Sequence, residues 1–238
     1  MDTALVIIDV QNDYFPQGKC ELFQSEQALK VTKRLLKHFR ERKLPVFYVQ
    51  HISPEDAAFF LPNTKGVQLH KEIEPLGSEY IIVKHTPNGF HETTLQEKLT
   101  SLSIKNLVMC GMMTHMCVDT TVRAAKDLGY LVTLISDACA TKDLEWNGRK
   151  LPASFINDVY MASLNGRFCN GYVKYRLFAV NVKSTQTVTA GAKRRCIIGL
   201  FGHGNQAARL YFSRINSVLS HTWPQHPQQD RVLWPMYG

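Results

Sequence analysis

The 238-residue chain has no apolar run longer than about half a dozen residues. A membrane-spanning helix needs roughly 20, so no transmembrane segment is expected. Met1-Asp2-Thr3-Ala4 leads straight into a short apolar run with no basic stretch ahead of it, which does not read as a secretory signal; a cytoplasmic location is expected. The six cysteines (Cys20, Cys110, Cys117, Cys139, Cys169, Cys196) include no Cys-x-x-Cys pair. That argues against a zinc knuckle and a disulfide scaffold, and for reduced thiols. No internal repeat is visible. Acids are scarce in one place only: residues 176–238 carry 8 Lys+Arg against 1 Asp+Glu, whereas residues 1–175 carry 20 against 19. The net charge of +8 therefore belongs to the tail, and nucleic acid is not an expected partner of the body.

With 45% hydrophobic and 20% charged residues, the chain can bury one sizeable core. Short β-branched runs alternate with longer helical patterns through about residue 170, the grammar of βαβ units and a parallel sheet covered on both faces. Strands are read at 5–8, 45–49, 80–83, 107–110 and 131–135. The first helix carries an apolar stripe of Ala28, Val31, Leu35, Leu36 and Phe39. Thr93 to Glu97 reads as a capped helix start, Gly129 as the stop of a helix beginning near Cys117, and Leu151 to Leu164 as the last helix. The expected organisation is a domain over residues 1–175 and a basic extension over 176–238.

In such sheets ligands bind beyond the carboxyl ends of the strands, where strand order reverses. The first strand runs into Asp9, the third into Lys84, and the fourth into Gly111-Met112-Met113-Thr114-His115-Met116-Cys117. With the common order 3-2-1-4-5-6, an acid, a base and a thiol converge there. Cys117 would open a helix, whose N-terminal N–H groups lower a thiol's pKa.

The segments Ala4 to Phe15 (ALVIIDVQNDYF), Val83 to Phe90 (VKHTPNGF) and Gly111 to Arg123 (GMMTHMCVDTTVR) closely resemble the motif blocks of the isochorismatase-like cysteine hydrolases. Asp137 to Thr141 and Met161 to Gly166 resemble the family's later landmarks, and the likeness runs from about residue 3 to 168. It stops near Phe168, where the family has a short final strand. The resemblance implies a Rossmann-like three-layer α/β/α domain with a mainly parallel sheet and a catalytic Asp9, Lys84 and Cys117. It also implies a cis peptide between Met112 and Met113, and an oxyanion hole from the N–H groups of Met113 and Cys117. The implied reaction is hydrolysis of an amide-type C–N bond in a small molecule by water through a thioester, in a homo-oligomer. The vinyl-ether-cleaving branch lacks the cysteine, so Cys117 favours an amidase.

The nicotinamidase branch carries an Asp-x-His pair for a metal near the end of the second strand. Here His51 has no Asp two residues before it, and His70, His85, His91 and His115 are scattered. No metal and no other cofactor is expected. Gln11 and Asn88 are candidates for binding polar substrate groups, and Phe15 and Phe90 either line the pocket or cap the core. Asp13, Asp119 and Asp137 read as supports for loops and helix ends. A thiol sensor or pseudoenzyme, and nucleic-acid binding by the tail through Lys193-Arg194-Arg195 with Tyr211, Phe212 and Trp223, are the competing readings. Gly202-His203-Gly204 resembles a dinucleotide fingerprint but lacks the acid about 20 residues on that such a site requires.

Overall fold

The computed structural model describes residues 2–169 and the backbone of residues 172–173. The expected boundary at residue 175, the glycine-rich segment and the basic-aromatic tail lie outside these residues. Six strands form one sheet: β1 (Thr3–Ile8), β2 (Val46–His51), β3 (Tyr80–Lys84), β4 (Asn106–Met112), β5 (Leu131–Ala140) and, last in the chain, β8 (Tyr172–Val173). Their order is β3-β2-β1-β4-β5-β8, and every pair is parallel. The chain reverses its direction of growth between β1 and β4.

The central strand shows why the sheet needs two covering layers. Ala4 to Ile8 are all 0% exposed, and alternate side chains of a strand point to opposite faces. Leu5 and Ile7 pack with Ala28, Leu35, Leu36 and Phe39 of α1 (Ser25–Glu41). Ala4, Val6 and Ile8 pack on the other face with α2 (Leu95–Ser101), α3 (Asp119–Asp127) and α4 (Ala153–Leu164), through Leu95, Leu99, Val122, Ala125, Met161 and Leu164. The result is the expected α/β/α sandwich. The Val, Leu, Ile, Met and Phe side chains among these each contribute about 1.5–3 kcal/mol when fully buried.

Two expectations about elements change. The last helix starts at Ala153, because Arg149–Leu151 (β7) pairs antiparallel with Leu144–Trp146 (β6). Asn147 and Gly148, both at positive φ (50° and 70°), make the tight hairpin turn that Asn-Gly favours. At α2, Thr94 makes no side-chain cap; the hydroxyl of Thr93 instead accepts from the Leu95 N–H at 3.3 Å.

Candidate active site

The ends of β1 and β4 lie against each other because Gly111 has no side chain. Its φ is +134°, and a Cβ there would sit 2.0 Å from the Ile8 carbonyl oxygen. Beyond Gly111 the Met112–Met113 peptide is cis. The chain then enters a π-helical turn, Thr114–Val118, that continues into α3. Cys117 sits inside this turn. The Thr114 hydroxyl donates to Asn157 Oδ1 at 2.8 Å, and His115 hydrogen-bonds Thr141, so the turn is held to α4 and to the end of β5.

Strand alternation aims the remaining groups. On β3, Ile82 and Lys84 face inward while Ile81 and Val83 are exposed. Continued alternation from Ile8 would turn Asp9 toward the α1 layer. Its left-handed φ of 50° breaks the alternation, a conformation costing about 1–3 kcal/mol in a non-glycine residue, and its carboxylate meets Lys84. The Lys84 Nζ lies 2.8 Å from Asp9 Oδ2, 3.3 Å from Cys117 Sγ and 2.8 Å from His51 Nδ1. Both side chains of the Asp9–Lys84 pair are 0% exposed. Lys84 and the Cys117 thiol are the hydrogen-bonding neighbours of the Asp9 carboxylate.

Burial governs the ionisation of this cluster. It raises Asp9 above the ordinary 3.8, with the Lys84 charge opposing. It also raises Cys117, helped by the Asp9 charge and opposed by Lys84. The lowered thiol pKa expected from a helix start is therefore not found: a turn that buries the sulfur removes more than its N–H groups return. At rest the group is a thiol beside a carboxylate of enhanced basicity.

Asp9, His51 and Cys117 offer donor atoms all within 4.8 Å of one another, a set of O, N and S that suits a transition metal. The Lys84 ammonium touches all three and so takes the place of a cation. The residues do not fit a metal without displacing it.

Each of the four pocket candidates has a structural partner of its own. Gln11 is 0% exposed; its amide nitrogen donates to the carbonyls of His51 and Val67 at 2.8 and 2.7 Å, and its oxygen accepts from the His51 N–H at 2.8 Å. Engaged with backbone in this way, it braces β2. Asn88 Oδ1 accepts from the Phe90 N–H at 2.9 Å and shapes its own turn. Phe90 stacks on Tyr130 and packs against the core under α2 and α3, and Phe15 is in the opposite core with its ring 4.4 Å from His70. Asp13 is a loop support: it accepts from the N–H groups of Lys19 and Phe60, and a Cβ at Gly66 would fall 2.1 Å from its carboxylate. Asp119 pairs with Arg123 one helical turn on. The residue that sequence reasoning missed is His51. Its signal was positional, since it ends β2 as Lys84 ends β3.

The Isochorismatase domain family matches residues 3–151. The chain belongs to the isochorismatase family. It is 49% identical over 167 residues to the isochorismatase family protein YddQ of Bacillus subtilis (strain 168), covering 70% of this chain and 93% of that one. It is 32% identical over 164 residues to a streptothricin hydrolase of Streptomyces noursei, covering 69% and 62%. The fold superposes on the crystal structure of an isochorismatase-type hydrolase from Oleispira antarctica with a TM-score of 0.72 and 40% identity, covering 75% and 96%. Isochorismatase-family proteins with a named activity thus include hydrolases, and none of the described helices in this member is long and apolar enough to cross a membrane.

Proposed function

We propose that the protein hydrolyses an amide-type C–N bond of a small molecule, with Cys117 as nucleophile, Asp9 as proton acceptor and donor, and Lys84 as the fixed charge between them. The observation that carries this reading is a buried thiol beside a buried carboxylate, one ammonium touching both. Burial raises the carboxylate above its ordinary value, which favours its taking up the thiol proton. As the sulfur attacks the amide carbon, the thiol proton passes to Asp9 and the carbonyl oxygen gains the negative charge. The N–H groups of Met113 and Cys117 are assigned to that oxyanion, where one well-placed donor contributes about 3–4 kcal/mol. Asp9 returns the proton to the nitrogen as the C–N bond breaks, releasing ammonia or an amine and leaving an acyl thioester. Water, deprotonated by Asp9, then attacks the thioester; the proton returns to sulfur and the acid leaves.

A nicotinamidase of Arabidopsis thaliana, 29% identical over 151 residues, supports an amide-type bond as target. The thiol-sensor reading is disfavoured because sensors need an exposed thiolate of low pKa, and Cys117 is 6% exposed with its pKa raised. The test is a panel of small amides, ureides and lactams with release of ammonia or amine as signal, and intact mass of the quenched enzyme to catch the acyl adduct. The expected outcome is turnover with an adduct on the Cys117 peptide. Turnover that survives Cys117→Ala would overturn the proposal.

A further inference from the structure

His51 and Lys84 are register partners across the parallel β2–β3 pair, so their side chains leave the same face of the sheet next to each other. An ammonium has three N–H donors and no acceptor. In this site one reaches Cys117 Sγ, one side lies against Asp9, and another N–H points to His51 Nδ1 at 2.8 Å. His51 is itself held firmly. The Gln11 side chain grips its backbone N–H and carbonyl, the backbone of Thr86 bonds its ring, and the ring of Phe60 stands 6.0 Å away. Burial and the charges of Lys84 and His85 hold its pKa down to about 4. The imidazole is therefore neutral near pH 7 and keeps a lone pair for Lys84.

We infer that His51 is a positioning residue that, as a neutral acceptor, holds the Lys84 ammonium in the gap between the Asp9 carboxylate and the Cys117 sulfur. A lysine stem has four rotatable carbons and no geometric preference of its own. Asp9 binds it from one side and sulfur is a weak acceptor; the imidazole nitrogen supplies a second strong, fixed direction. The inference rests on the proposed Cys117 chemistry.

The experiment needs no substrate. Alkylation of Cys117 by iodoacetamide is followed against pH in the full chain, located by peptide mass, for wild type, Lys84→Met, His51→Leu, His51→Asn and the double variant His51→Leu/Lys84→Met, with melting curves to check folding. Lys84→Met and His51→Leu are each expected to slow Cys117 by about tenfold or more, as for loss of a hydrogen bond to a charged group. His51→Asn, whose side-chain oxygen can take the place of Nδ1, is expected to recover most of that loss. The double variant should be no slower than Lys84→Met alone, because His51 acts through Lys84. Wild-type rates in His51→Leu, no recovery in His51→Asn, or additive losses in the double variant would each overturn the inference. If Lys84→Met itself matches wild type, the proposed Cys117 chemistry falls, and the role of His51 with it. Should His51→Leu fail to fold, the imidazole nitrogen resonances decide: the Nδ1 signal must move when Lys84 becomes Met, and an unmoved signal overturns the inference.

Discussion

Strand β3 lies between two charged networks of opposite character. At its start, Glu79 accepts from Arg40 Nε and Nη2 at 2.8 Å each, from the Tyr48 hydroxyl at 3.1 Å and from the Leu76 N–H at 2.8 Å. Arg40 also donates to the Glu74 carbonyl at 2.7 Å. At its end, Lys84 is shared between Asp9, Cys117 and His51. In the first network the bonds to Glu79 outweigh its burial; in the second, burial outweighs the bonds to Asp9. The first tethers α1 to the sheet; the second raises the basicity of a carboxylate beside a thiol.

The comparison can be broken most severely at the proposed nucleophile. Cys117→Ala is expected to lower turnover of any amide substrate by about four orders of magnitude or more, with an unchanged melting temperature; initial rates and a melt measure both. Lys84→Met paired with Asp9→Asn comes next. It replaces two buried charges by neutral groups, so activity should fall by roughly two to three orders of magnitude while urea unfolding shows equal or greater stability. Arg40→Met should do the reverse, leaving Glu79 without its main partner: about 2 kcal/mol less stability and kcat/KM within a factor of about two, since nothing in the catalytic cluster moves.

pH sharpens the contrast through its sign. Burial pushes Glu79 up, but the bonds from Arg40 and the Leu76 N–H win, and its folded pKa lies below 4.5. Its stabilisation is full above 4.5 and is lost as pH falls through the folded value. Asp9 is raised above 3.8, so the folded chain binds its proton more tightly; that contribution is present below 3.8 and is lost as pH rises through the folded value. Urea titrations at a series of pH values should therefore show Glu79→Gln losing stability relative to wild type as pH rises from the folded value to 4.5, with the full deficit above it, and Asp9→Asn gaining stability as pH rises above 3.8. The smallest effect is expected of Tyr48→Phe, about 1 kcal/mol for its hydroxyl, with activity unchanged.

Much of this was legible in the amino-acid order. The parallel core announces itself in the continuous apolar run of β1, and three polar residues placed just past three strands already marked Asp9, Lys84 and Cys117 as neighbours. Less was legible wherever a side chain had two uses. Gln11 sits beside the base in sequence, yet its amide is consumed by the backbone of His51 and Val67. Phe90 follows a motif block, yet its turn carries it to Tyr130. The Cys117 ionisation was misjudged because the helix-start effect is local, while burial is set by everything that closes over the sulfur. His51 was weighed only as a metal ligand; its place beside Lys84 follows from the register of β2 on β3.

The contact that Gly111 permits also sets a timetable. The strand that runs into Asp9 is made well before the partner that brings Cys117 to it: Gly111, opposite Ile8, lies about a hundred residues later. Contacts of such separation form slowly. Until then β1, apolar from Ala4 to Ile8, has one bare edge, which invites pairing with other chains. Premature termination before β4 would thus leave an adhesive fragment as well as an inactive one, and chaperone capture of nascent chains should be densest in the interval before residue 112 emerges.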